Sequence, residues 1–399
     1  MKFVRFILLL IIFLTHDTLG SRYVLLISFD GFRWDYLNRS LTPNLNNFAD
    51  KGIRALSLEP AYPSGTFPNH YTIVTGMYPE NHGIIGNHIY DKFTNNSFTL
   101  RKQEEVSNPR WYLGEAIWET AKRQGILTAS FFWPGSELNL DYRRPDYFVP
   151  FNPKIPYKTR IDSVIGWLKL PYEKRPKFIT LYFEETDTKG HDFGPFSPEI
   201  DSAIVLCDQL FGYLLDQLRQ INFLDSINII VVSDHGMTEI DKNKIIVLKN
   251  YLGIGKIEVN SYGYLCSITG EKDSVEKAYN TLKNNERNFK VYKRKEVPNY
   301  FHFNNNPWIG EVIVIPEIGW TVAYDSTEYT FKVKATHGFD NHWLDMHGIF
   351  IAKGPALKNG YTTGTLMNID IYPLMCKILN IIPRNNIDGK LERIEYILK

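Results

Sequence analysis

Runs of aliphatic and β-branched residues, bounded by polar or Gly positions and too short for helices, punctuate the chain at residues 22–29, 126–132, 178–183 and 227–232. Such runs mark strands buried on both faces. Between them, apolar positions recur at three- and four-residue spacing. Thr42-Pro43-Asn44-Leu45 opens a helix that carries Leu45, Phe48 and Ala49 on one face and closes at Gly52; residues 111–125, 161–170 and 202–218 read as helices too. Further strands are predicted at 53–59 and 347–352, and a C-terminal helix around 370–379. This alternation predicts an α/β fold with a largely parallel central sheet and helices on both faces.

The pattern changes between residues 244 and 325. Short strands at 256–259, 263–268, 311–315 and 321–323 surround one helix at 274–284, a small α+β insertion expected to pack beside a pocket of a single domain spanning 21–399. The loop at 138–157 is dense in Tyr, Phe and Pro, which suits either a pocket wall or the surface packing of a long loop.

With 399 residues, 44% of them hydrophobic, the chain can bury a large core. A formal net charge of +1 gives no broad field towards nucleic acid or an anionic membrane, so recognition of an anion has to be local. Cys207, Cys266 and Cys376 are too few and too scattered for a disulfide framework or a zinc knuckle, and buried thiols are expected. So little Cys suits an exported bacterial chain better than an animal extracellular one. Lys2 and Arg5, the apolar run 6–14 and Thr18-Leu19-Gly20 predict a secretory leader cut near Gly20. The run is short of the roughly 20 apolar residues that span a bilayer. A periplasmic or extracellular protein without a stable membrane span is therefore expected.

Candidate chemistry lies where the buried strands end. The first ends in Asp30-Gly31, the 178–183 strand runs into Asp187 and His191, and the 227–232 strand ends in Asp234-His235. Open α/β sheets bind ligands at that edge, although an Asp there can also cap a turn. Two titratable residues beside a buried strand end cost free energy unless something is bound. Ahead of a helical pattern beginning at Pro68, Pro63-Ser64-Gly65 makes a turn that leaves Thr66 at the helix start, either as an N-cap or as a nucleophile beside a bound anion. Thr336-His337-Gly338 adds a third imidazole. Asp30, Asp187, Asp234, His191, His235, His337 and Thr66 suffice for two metal ions. Zn²⁺ suits mixed N and O ligands best, with Mn²⁺ or Co²⁺ as substitutes. Two ions about 4 Å apart clamp the attacking and leaving oxygens of an in-line displacement at phosphorus, and one of them lowers the pKa of the threonine hydroxyl.

Ser28-Phe29-Asp30-Gly31-Phe32-Arg33, Thr66-Phe67-Pro68-Asn69-His70-Tyr71, Gly83-Ile84-Ile85-Gly86-Asn87, the segment from Asp187 to His191, Ser233-Asp234-His235-Gly236-Met237 and Thr336-His337-Gly338 occur in this order. Together they resemble the nucleotide pyrophosphatase/phosphodiesterase family of the alkaline phosphatase superfamily. The resemblance implies an alkaline phosphatase-like sheet. It also implies one zinc held by Asp187, His191 and His337 and another by Asp30, Thr66, Asp234 and His235. Thr66 is implied as a transiently nucleotidylated nucleophile, and Asn87 with the Phe67 N–H as the holders of a phosphate oxygen. Phe67 would face a nucleobase, with Phe151 or Tyr157 on its other side and Tyr182 lining the pocket. Nothing near Thr66 matches the arginine with which monoesterases of the superfamily hold an extra phosphate charge.

The expected activity is hydrolysis of nucleotide phosphodiester or phosphoanhydride bonds in small molecules to nucleoside 5′-monophosphates. A phosphocholine-releasing (lyso)phospholipid or glycerophosphodiester phosphodiesterase would use the same metals, and a zinc-stabilised extracellular binding module is the alternative outside enzymes.

Overall fold

The computed structural model describes residues 22–253, 255–325 and 333–399; the leader expected at residues 1–20 lies outside the described residues. Strand Tyr23–Phe29 runs through the middle of an eight-stranded sheet, flanked in parallel by Phe178–Phe183 and Ile227–Val232. Beyond Phe178–Phe183 come Thr128–Phe131 and Tyr147–Val149, both parallel. On the other side lie Phe350–Lys353, Ile53–Ala55 and Tyr361–Thr363. Phe350–Lys353 is antiparallel to both its neighbours, and the remaining pairings are parallel.

Both faces are buried, which is why the central strands read as continuous apolar runs. Val24, Leu26, Ile230 and Val232 pack on one side under helices Thr66–Thr75, Ile117–Arg123 and Ile371–Leu379. Leu25, Ile27, Phe29, Ile229 and Val231 pack on the other under Pro43–Asp50, Tyr157–Leu168 and Pro198–Gln220. The insertion forms a four-stranded antiparallel sheet, Ile257–Ser261, Cys266–Gly270, Val312–Pro316 and Phe289–Lys293, with helix Lys272–Lys283 against it. Cys266, Ile268, Leu282, Val291 and Val314 are in its core.

Several elements differ from expectation. The predicted strand 53–59 divides: Ile53–Ala55 joins the main sheet, whereas Leu58–Glu59 pairs with Leu366–Met367 elsewhere. The predicted helix 111–125 begins only at Ile117, because Trp111 and Tyr112 are buried and Gly114 is pressed against His82 and Thr75 where the chain turns. The aromatic loop contains an edge strand, Tyr147–Val149. Strand Phe289–Lys293 was not expected, its Lys290 and Lys293 breaking the apolar run while Phe289 and Val291 face inward. All three cysteines are free and buried. Among the described residues no helix is long and apolar enough to cross a membrane.

Candidate active site

Parallel register decides which residues share the sheet edge. Phe29 pairs with Phe183 and Ser28 with Val232, so Asp30, the segment after Phe183, and Asp234 emerge side by side. That segment is a helix, Glu185–Phe193, which sets Asp187 and His191 one turn apart with His191 Nε2 3.3 Å from Asp187 Oδ1. Gly31, at φ +64°, lets the first strand turn against this helix; a Cβ there would lie 2.9 Å from Asp187 Cα. A two-rung antiparallel ladder, Thr238 with Thr336 and Glu239 with Ala335, delivers His337 onto His235, ring centroids 3.5 Å apart and 12° from coplanar.

Helix Thr66–Thr75 has Gly65 as its N-cap, so Thr66 is the first helical residue. Its hydroxyl does not cap the helix but faces His235 Nε2 at 3.2 Å. The anion site expected at this terminus is only partly open. Pro68 has no N–H, and the Phe67 N–H donates to Asn87 Oδ1 at 3.0 Å instead of standing beside it. With that oxygen engaged, the donor Asn87 can offer an anion is its NH₂ group.

The seven expected side chains converge. His235 Nε2 lies 3.3 Å from Asp30 Oδ1 and 3.1 Å from Asp234 Oδ2, and His337 Nε2 lies 3.6 Å from Asp187 Oδ1. Each imidazole donates Nδ1–H to a backbone carbonyl: His191 to Ala335 at 2.9 Å, His235 to Gly236 at 2.8 Å and His337 to Ser64 at 2.9 Å. Their Nε2 lone pairs therefore point at the carboxylates. Asp30 Oδ1, Asp187 Oδ1 and Asp234 Oδ2 are themselves buried without a hydrogen-bond partner. Acceptors facing acceptors at these distances repel unless cations lie between them, and metal-ligating histidines have their other nitrogen tied in this way.

The electrostatics agree for His235 and His337, both held neutral, whereas His191 without a cation pairs with Asp187 as an imidazolium. Burial, reinforced by the neighbouring carboxylates, pushes Asp30 and Asp234 well above the usual carboxylate range. Burial acts on Asp187 in the same sense, but the imidazoles of His191, His337 and His235 outweigh it and hold that group low. Burial also lowers His191, yet Asp187 outweighs it and raises the imidazole to about 9. His337, by contrast, is lowered by burial to about 4. The donor set, carboxylate oxygens with imidazole nitrogens, fits divalent cations.

Ligand atoms of Asp187, His235 and His337 lie mutually within 4.8 Å, as do those of Asp30, His70 and Asp234. His70 was not expected here. Its Nδ1, 3.2 Å from Asp234 Oδ2, donates to the Thr66 carbonyl at 2.9 Å, and its Nε2 meets Ser28 Oγ at 2.8 Å. With both nitrogens engaged it ties Thr66 to Ser28 beside Asp234 and offers a cation no lone pair.

Beside Thr66 a cavity of about 240 Å³ is lined by Phe67, Phe132, Trp133, Phe151 and Tyr182, with Asp30 and Asp187 at its inner end. Of the two aromatics expected opposite Phe67, Phe151 lines this cavity. Tyr157 does not; its hydroxyl donates to Glu185 at 2.7 Å and its ring packs on Phe183. The Tyr182 ring lines the cavity, but its hydroxyl turns away to Asp30 Oδ2 at 2.6 Å.

The family described as Type I phosphodiesterase / nucleotide pyrophosphatase matches residues 24–340. The chain is 38% identical over 387 residues to human ectonucleotide pyrophosphatase/phosphodiesterase family member 1, covering 94% of this chain and 42% of that protein. It is 37% identical over 388 residues to venom phosphodiesterase 2 of Crotalus adamanteus, covering 94% of this chain and 47% of that one. The chain thus spans under half the length of these relatives. Among solved structures, an inactive variant of murine ectonucleotide pyrophosphatase/phosphodiesterase 5 in complex with AMP is similar with a TM-score of 0.89 at 31% identity, covering 94% of this chain and 100% of that one.

Proposed function

Since the chain belongs to the type I phosphodiesterase / nucleotide pyrophosphatase family, we propose that it is an exported two-zinc enzyme that hydrolyses nucleotide phosphodiester or phosphoanhydride bonds and releases nucleoside 5′-monophosphates. One observation carries the reading: the Thr66 hydroxyl, free of any capping duty, lies against His235 Nε2 in a pocket whose three carboxylates each present an unpartnered oxygen. Export is supported by the leader-like N-terminus and by relatives named as ecto- and venom enzymes.

Asp187, His191 and His337 are assigned to one zinc, and Asp30, Asp234, His235 and Thr66 to the other. When bound, the ions lower the pKa of the hydroxyl and neutralise charge on the transferred group. The chain's own residues do the rest. Phe67 and Phe151 hold the base, and the Asn87 NH₂ holds a non-bridging phosphate oxygen. Thr66 Oγ gives up its proton to solvent and bonds to phosphorus while the bond to the leaving oxygen breaks in line, that oxygen carrying away the electron pair and taking a proton from water. Water then attacks the same phosphorus, breaking the bond to Oγ and releasing the monophosphate. Two displacements retain configuration at phosphorus.

Rates on ATP, a dinucleotide, a glycerophosphodiester and an aryl phosphate monoester, with and without a chelator, test the reading together with Thr66→Ala. The expectation is turnover of the first two that is lost in Thr66→Ala and on chelation. Equal rates on the monoester, preference for the glycerophosphodiester, or a Thr66→Ala variant at full speed would overturn it.

A further inference from the structure

Asp30 has two carboxylate oxygens in unlike surroundings. Oδ2 accepts a hydrogen bond from the Tyr182 hydroxyl at 2.6 Å, while Oδ1 has no hydrogen-bond partner and faces His235 Nε2 at 3.3 Å. The Tyr182 ring is itself fixed. It makes edge contacts with His70 at 5.2 Å and Phe151 at 6.1 Å, and its backbone carbonyl accepts from the fully buried Arg160 at 3.0 Å. Arg160 is in turn held by a two-pronged pairing with Glu184, at 2.6 and 2.8 Å. At 2.6 Å from a carboxylate oxygen, the phenol O–H is the donor and Asp30 Oδ2 the acceptor.

We propose that Tyr182 is a positioning residue for Asp30: its hydroxyl engages Oδ2 and thereby fixes Oδ1 as the oxygen presented to a divalent cation. The inference deepens the metal-dependent reading above and rests on it. A wall residue of the pocket needs only the ring, and a phenylalanine would supply that; the short bond to a carboxylate that is otherwise half unpartnered is what the ring does not explain. Strand pairing gives the arrangement its stiffness. Ser28 and Tyr182 are partners in adjacent parallel strands, so the hydroxyl reaches Asp30 across a rung the sheet cannot easily shift.

Tyr182→Phe removes one oxygen and keeps the ring. Zinc-free wild type and variant, matched by circular dichroism, are titrated with Zn²⁺ in competition with a chromophoric chelator, and kcat and KM on a nitrophenyl ester of a nucleoside 5′-monophosphate are read at limiting and saturating zinc. The wild type is expected to take up two equivalents. In the variant one equivalent binds about 10- to 100-fold more weakly, the usual effect of losing a bond to a ligating group, while the other is unchanged. kcat falls at limiting zinc and recovers at saturation, and KM stays within about threefold. A variant titration that superimposes on the wild type, or a change in KM alone, would overturn the role of Tyr182 while leaving the metal centre standing. A wild type that takes up no zinc would overturn both.

Discussion

Asn69 carries four hydrogen bonds at the turn that presents Thr66. Its oxygen accepts from the Ala61 N–H at 2.7 Å and from Asn368 at 2.8 Å, and its NH₂ donates to the Pro63 and Gly65 carbonyls at 3.0 and 2.9 Å. The side chain is fully buried, so its truncation takes the acceptor from the Ala61 N–H and the Asn368 amide, while the Pro63 and Gly65 carbonyls keep only the backbone N–H groups of Gly65 and Asn69. Asn69→Ala is expected to lower stability by about 2–4 kcal/mol in urea unfolding. kcat should fall more than KM rises, because Thr66 loses its fixed orientation; unchanged kcat in the folded variant would refute that role. Residues of this kind were hard to read from sequence. Asp30, Asp234 and His235 stood out because charge at the end of a buried strand needs a reason. Tyr182, expected only as a pocket-lining ring, lies within an apolar strand and His70 within a buried helix, and only the fold shows where their polar atoms point.

At the scale of elements, the turn after helix Thr66–Thr75 is tied back to it by His82. The Ile84 N–H donates to His82 Nδ1 at 3.2 Å, and Nε2–H serves the Pro68 carbonyl at 3.2 Å, with Thr72 Oγ1 at 3.0 Å. Protonating Nδ1 would break the Ile84 bond, and burial lowers this imidazole to about 3 from an ordinary 6.5. The unfolded chain then binds a proton that the folded chain refuses. Above about pH 6.5 the difference vanishes; as pH falls towards 3, stability drops by up to about 1.4 kcal/mol per unit. His347, lowered by burial to about 4, contributes in the same sense. His82→Gln is expected to be less stable at neutral pH, yet its urea midpoint should fall less steeply than the wild type's between about pH 6 and pH 4. Parallel curves would exclude His82 as a source of the slope. Strand and helix interiors were legible from periodicity, whereas their ends were set by such tertiary ties. Gly114 against His82 is why the helix predicted from residue 111 starts late.

For the whole molecule, the question is why a two-faced sheet carries a second, smaller sheet at its side. The insertion reaches the site through Tyr264, whose ring lies where a Cβ on Gly338 would fall, 2.3 Å from the nearest ring atom, and whose hydroxyl lies 3.8 Å from the corresponding point on Gly65. One buried tyrosine therefore backs both the residue after His337 and the residue before Thr66. Gly338, at φ +102°, can make the bend with no side chain in the way. The composition of residues 244–325 announced a separate α+β unit but not this contact, because nothing in a local pattern links Tyr264 to a glycine more than seventy positions on. If the unit is a brace, Tyr264→Ala should do two separable things. Loss of a buried aromatic from the main core should lower stability by about 3 kcal/mol. Slack at His337 and Thr66 should lower kcat and weaken zinc in the chelator titration even at temperatures where the variant is fully folded. Tyr264→Phe keeps the ring and should restore both. A variant that loses stability while holding zinc and kcat at wild-type values would show the insertion to be a neighbour of the site and not a support for it.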